Sequence, residues 1–298
     1  MFAPPRLHWT LLVSTVGLII GFNLLWYWLE LHRTQPSLQP LFVLTAVSVF
    51  FVLSSALKGP RWGDISRRGR FIIVSSLLLF ALLWWFGRTD FFRRYLTGVF
   101  PDTVLTPLYP FLYLSISCLI ARTAIPLALI RICLNERRRD FGYSIKGTFE
   151  LWWVYLLLTA VVMLVIVFFI SDLESFKAKY PLVRSLGRSG MEFTSLFVLY
   201  QAAYGLVFIS GESFWRGFIL FGLERDMGRA ALVYMIIPYT MAHYGKPIAE
   251  TMGAVGAGLV LGYLALRHRS FWLGVAAHWS VALTMDLSAI WRSSSNLP

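Results

Sequence analysis

ELWWVYLLLTAVVMLVIVFFIS, residues 150–171, decides the fold class. Past Glu150 it holds no charged residue, and apolar side chains fill almost every position. A bilayer core of about 30 Å needs about 20 apolar residues in helical form, because each residue rises about 1.5 Å. The stretch therefore predicts a membrane-spanning helix, with Trp152 and Trp153 at a lipid–water interface. Working outward, comparable stretches fall near 9–30, 38–57, 71–87, 103–134, 194–223, 229–245, 251–267 and 270–290. Residues 103–134 exceed one span, and Pro107, Pro110 and Pro126 would divide them into an interfacial piece and one helix. The expected fold is all-α, a polytopic membrane helical bundle of about eight or nine transmembrane helices.

Composition agrees. Of 298 residues 57% are hydrophobic and 14% charged, with a mean hydropathy of +0.66. Soluble domains carry roughly 25% charged residues, and one soluble core of this size could not hide so much apolar surface. Trp26, Tyr27, Trp28, Trp84 and Trp85 mark further interfacial belts. The formal net charge of +12 would suggest nucleic acid in a soluble protein. Here the basic residues lie between apolar runs, where they meet anionic headgroups and set topology, so lipids are the expected partner and nucleic acid is not. Cys118 and Cys133 offer neither a disulfide framework nor metal-ligand spacing. The N-terminus runs from MFAPPRLHWT into a stretch long enough to span, without a small-residue cleavage site, and is read as an uncleaved first helix.

Residues 58–70 (KGPRWGDISRRGR) and 135–146 (NERRRDFGYSIK) are basic, and alternation puts them on one side with Arg225, Arg229, Arg267 and Arg269. The opposite side holds Arg88, Arg93, Arg94, Lys177, Lys179, Arg184 and Arg188. The positive-inside rule then favours an inside N-terminus, modestly. With no linker, low-complexity tract or internal repeat, residues 1–135 read as N-terminal scaffold helices and 136–298 as a second transmembrane unit. The distinction rests on ionisable groups within apolar helices over 190–290.

A charged side chain at the centre of a spanning helix costs at least about 2.5–3.5 kcal/mol, so such residues usually face the bundle interior. In GESFWRGF, 211–218, Glu212 and Arg216 stand four apart on one helix face, the favourable order for an ion pair, which could be purely structural. In PYTMAHYGKP, 238–247, Tyr239 and His243 share a face, and a packing histidine is the plain alternative. Lys246 and Glu250 suit a solvated pair at the surface. In GVAAHWSVALTMD, 274–286, His278 is followed two turns later by Asp286. A buried carboxylate with a neutral imidazole makes a general base for water, and a second imidazole can donate to an oxyanion. The same Glu/His/His set could instead bind zinc, although no tight local ligand spacing supports a metal.

These residues resemble the type II CaaX prenyl endopeptidase family, also called the CPBP or Abi family, whose motifs are EExxxR, FxxxH and HxxxN or HxxxD. Gly211-Glu212 to Arg216-Gly217 is similar to the first, Tyr239 to His243 to the second, and GLVLGYLALRHRSFWLGVAAH, 258–278, to the Gly-rich helix, basic turn and closing helix with its histidine. Gly258 and Gly262 form a small-xxx-small face. The resemblance covers about 100 residues, roughly 190–290, and implies an intramembrane endopeptidase cleaving a membrane-associated peptide or protein. It assigns Glu212 and His243 to water activation and His278 to the oxyanion, with Arg216 orienting Glu212 and Tyr239 and Asp286 in support. No cofactor is expected, although older descriptions of the family as metalloproteases keep zinc open. The expected place is the plasma membrane of a prokaryote. Gly211 stands where the family has its first glutamate, and Ala282 where it has Asn or Asp. Those departures suit an inactive member acting as a membrane binding or immunity protein, and the buried ionisable set would also suit a proton-coupled transporter.

Overall fold

The computed structural model describes residues 9–145, 148–183 and 192–294. They are helical, with one isolated antiparallel bridge, Tyr143 to Ser270, and no strand among them. The longer helices are α1 (Trp9–Trp28), α2 (Pro36–Ala56), α3 (Arg67–Phe86), α4 (Thr106–Cys133), α5 (Trp152–Ile170), α6 (Phe193–Met227), α7 (Ala230–Met241), α8 (Ile248–His268) and α9 (Trp272–Ser294). The chain is a polytopic helical bundle. Against the eight or nine spans expected, seven helices among the described residues are long and apolar enough to cross a membrane, all but α7 and α8. Only 11% of the α5 window is buried inside the protein, so this most apolar helix packs one face on α9 and presents the rest outward, as lipid contact requires.

Residues 103–134 do not divide as expected. Thr106–Cys133 is one helical run, because Pro107 and Pro110 fall in its opening turns, where a missing N–H costs nothing. Pro126 lies between two π-helical segments, Ile120–Ala124 and Leu129–Cys133, which absorb the lost backbone bond.

The protein core forms around α7. All twelve of its residues are buried, and it packs on α1, α2, α6 and α8. Gly258 and Gly262 of α8 face it as the small-xxx-small pattern predicts: a Cβ at Gly258 would lie 3.0 Å from the Tyr239 ring. Twelve residues rise only about 18 Å, so α7 ends within the protein and its last carbonyls need partners from side chains. Gln39 donates to the Met241 carbonyl, the Thr251 hydroxyl to that of His243 (3.0 Å), and the Tyr27 hydroxyl to that of Lys246 (2.5 Å). Tyr244 is tied in turn to the Ile19 carbonyl in the middle of α1 (2.9 Å). Residues 242–247 are thereby fixed where the site needs them.

At the end of the bundle bearing the two basic loops, both oxygens of Glu136 accept from Arg68, at 2.8 and 2.7 Å, and one also accepts from Arg225 at 2.7 Å. Asp226 accepts from the Ser66 amide at 2.8 Å, so the last turn of α6 is tied to the start of α3 and to the connections after α2 and α4. The Arg68 hydrogen bond holds the Glu136 carboxyl below the usual carboxylate range, outweighing the burial that raises it. A depressed folded-state pKa means stability that is present above the ordinary carboxylate range and lost as pH falls through the lowered value. Glu136→Gln should therefore lower stability at neutral pH by about 1–2 kcal/mol. In thermal unfolding in detergent, the gap to wild type should close as the pH falls below the carboxylate range.

Candidate active site

Glu212 and Arg216 sit where α6 leaves regular geometry. From Ser213 to Phe221 the helix is π-helical, and all nine residues of that segment are buried. Single π turns often mark functional positions. Arg216 donates to Glu212 Oε1 at 2.9 Å, with side-chain exposures of 0% and 2%, so the favourable spacing read from sequence is a fully buried ion pair. The Arg216 guanidinium also lies 4.4 Å from the centre of the Tyr239 ring.

The same Glu212 oxygen accepts a second hydrogen bond, from His278 Nδ1 at 2.8 Å. An ionised carboxylate only accepts, so Nδ1 carries a proton. His278 Nε2 meets the Tyr239 hydroxyl at 3.1 Å, and the imidazole stacks on Phe208 with ring centres 5.5 Å apart. Glu212, His278 and Tyr239 thus form a continuous polar chain across three helices. Sequence reasoning had paired Glu212 with His243 instead.

His243 lies on the other side of the Tyr239 backbone. Its own amide bonds to Thr240, leaving the Tyr239 carbonyl to accept from His243 Nδ1 at 2.9 Å. In a neutral imidazole that fixes the tautomer and leaves Nε2 as an acceptor. Glu212, Tyr239, His243 and His278 all border one cavity of about 800 Å³, at the upper part of the range for small-molecule sites.

Asp286 is placed elsewhere. Its Oδ2 accepts from the Tyr200 hydroxyl (2.8 Å) and the Gln201 amide (3.0 Å), within α6 and α9, and it does not border the cavity. Ala282 packs in the apolar cluster of Leu108, Phe111 and Tyr200. At Gly211, which borders the cavity, an added Cβ would meet only Trp215, at 4.0 Å, so a Cβ fits there. One cation in the cavity wall escaped the sequence reading: Arg122 of α4, its carbonyl 3.3 Å from the Ser213 hydroxyl. The signal was available, as a charge well inside an apolar stretch.

Zinc does not suit these donors. No group of three or more His, Cys, Asp or Glu is gathered among the described residues, and the Arg216 guanidinium on Glu212 would oppose a dication. Glu212 Oε2 is buried without a hydrogen-bond partner, and a Cβ at Gly274 would lie 2.8 Å from it. Gly274→Ala should thus displace the carboxylate and cost about 1–3 kcal/mol, read by thermal unfolding. Gly253→Ala, in open space on α8, should not.

No curated protein and no solved structure matches the chain. The family model described as Rce1-like, type II CAAX prenyl endopeptidase, matches residues 193–284. Glu212, Arg216, Tyr239, His243 and His278 all fall inside that stretch, so it is to this family that the C-terminal helices of the chain are similar.

Proposed function

We propose that the protein is an intramembrane endopeptidase that hydrolyses a membrane-associated peptide or protein with activated water. The observation that carries this reading is the Glu212–His278–Tyr239 chain bordering the same cavity as the free nitrogen of His243. His243 takes the proton from water at Nε2, since its Nδ1 proton is engaged by the Tyr239 carbonyl. Glu212, oriented by Arg216, holds His278 through Nδ1. His278 in its protonated form, with Nδ1 on the Glu212 carboxylate, donates from Nε2 to the tetrahedral oxyanion, and the Tyr239 hydroxyl, turned from Nε2, donates beside it, where a dry site makes such bonds strongest. The proton on His243 passes to the leaving amine as the tetrahedral intermediate collapses. The basic end of the bundle, with the N-terminus, is assigned to the cytoplasmic side of a prokaryotic plasma membrane.

The second reading, a binding or immunity protein that has lost the chemistry, draws on Gly211 and Ala282. Purified protein in lipid should be offered a library of quenched membrane-anchored peptides. The enzyme reading expects cleavage that falls by about 10²–10⁴ in His243→Ala and in Glu212→Gln, with each variant shown folded by thermal unfolding. Tyr239→Phe should lose less, about 10-fold. A chelator should leave the rate unchanged. Cleavage that survives both His243→Ala and Glu212→Gln, or none by a folded wild-type protein across the library, sinks the enzyme reading. In the latter case Gly211→Glu, where a Cβ fits, tests whether a missing carboxylate explains the loss.

A further inference from the structure

Arg122 stands near the middle of α4, inside the π-helical segment Ile120–Ala124, and borders the cavity beside the helix that carries Glu212. Its guanidinium lies 5.7 Å from the centre of the Trp215 ring. Among the described residues its side chain has no ion pair and no hydrogen bond, whereas Arg216 is held by Glu212. A cation in a spanning helix costs several kcal/mol unless something satisfies it. Arg88, Arg93, Lys179 and Lys246 also border the cavity, with Asp90 and Glu212 the carboxylates in its wall. Arg88, just past the end of α3, lies over the Trp84 ring at 4.0 Å and pairs with Asp90 at 3.8 Å, and Lys179 forms no ion pair among the described residues. Burial and then the neighbouring charges of Lys246 and Arg88 push the Lys179 ammonium below its ordinary pKa, while Glu250 and Asp90 oppose that shift. Glu250 itself is occupied by Lys246 at 2.5 Å and by the Tyr180 hydroxyl at 2.6 Å. The rest of the wall includes Phe80, Leu83, Phe111 and Val207, all apolar.

We infer that the cavity takes an amphiphile with an anionic head, a carboxylate or a phosphate, bound at Arg122 with Arg88 and Lys179 in the same wall. Arg122 presents a planar fork of donors suited to either group, and apolar walls suit the chain that carries it. The head-group contacts fall on Arg122 and not on the Glu212–His278–Tyr239 chain, which borders the same cavity, and binding does not depend on whether a peptide is cut.

The test is calorimetric titration of the full-length protein, in uncharged maltoside micelles, with octyl phosphate, octanoate and neutral octanamide. At least one anion should bind about 10-fold or more tightly than octanamide, the difference expected of charge-assisted hydrogen bonds. Arg122→Gln should abolish that preference, and Arg94→Gln, which lies outside the cavity wall, should keep it. Preference for octyl phosphate alone assigns the site to a phosphate head, and for octanoate alone to a carboxylate. Equal binding of all three probes overturns the inference, as does a preference that survives Arg122→Gln. If Arg122→Gln fails to fold, the Arg88→Gln, Lys179→Gln double variant is judged by the same two criteria. Peptide cleavage without anion preference would remove this site and leave the protease reading intact. Anion preference without cleavage would do the reverse.

Discussion

Two opposite charges one helical turn apart, both buried, set the terms for the rest of the structure. Glu212 and Arg216 are buried to 2% and 0% exposure. Removing either one would strand the other, at a cost of about 3–5 kcal/mol for a buried pair. The surroundings answer that constraint. Tyr239 lays its ring against the Arg216 guanidinium, His278 supplies a second donor to the carboxylate, and glycine at 274 keeps a Cβ clear of its other oxygen. A pair kept only for stability could be replaced by packed apolar residues without loss. One that also holds an imidazole facing a cavity has a reason to be ionic.

The second constraint is the short α7. A helix that stops inside a bundle leaves carbonyls that nothing in the apolar surroundings can satisfy. Side chains from α1, α2 and α8 satisfy those of Met241, His243 and Lys246, and the imidazole of His243 satisfies that of Tyr239. His243 therefore has two parts to play. As a cap it spends its Nδ1 proton on the backbone, and that same bond leaves Nε2 as an acceptor. The structural and the chemical readings of this histidine are not rivals, because the cap selects the tautomer that a base would need.

How far the sequence could be read follows from what each feature depends on. Helices such as 150–171 were legible because hydropathy over 20 residues is a local property, and so was the Glu212–Arg216 pair, four residues apart on one helix. The contact between Glu212 and His278 joins residues 66 apart, and it was not legible. Their order along the chain fits the family pattern equally well whichever histidine Glu212 touches. Pro107 and Pro110 were read as breaks, although proline in an opening turn is favourable, because the sequence does not show where the helix begins. Asp286 shares a helical face with His278 by spacing, yet two turns separate them, and Tyr200 and Gln201 claim the carboxylate first. Arg122 lies far in sequence from the other polar residues of the site, and only the fold shows that the cavity draws its wall from both halves of the chain.

Tyr239 ties together two of the departures from the family pattern. The motif it resembles has phenylalanine there, and the motif around His278 has Asn or Asp where this chain has Ala282. With alanine packed into the apolar cluster of Leu108 and Tyr200, the Asn or Asp of the pattern has no counterpart at that position. The tyrosine hydroxyl reaches His278 Nε2 at 3.1 Å and sets a hydrogen-bonding group on the imidazole from the neighbouring helix. A bare phenylalanine would leave that nitrogen without this partner in a site where an unmet polar atom costs about 1–3 kcal/mol. Read together, Ala282 leaves no polar side chain one turn after His278, and Tyr239 brings a hydroxyl to that imidazole from the neighbouring helix.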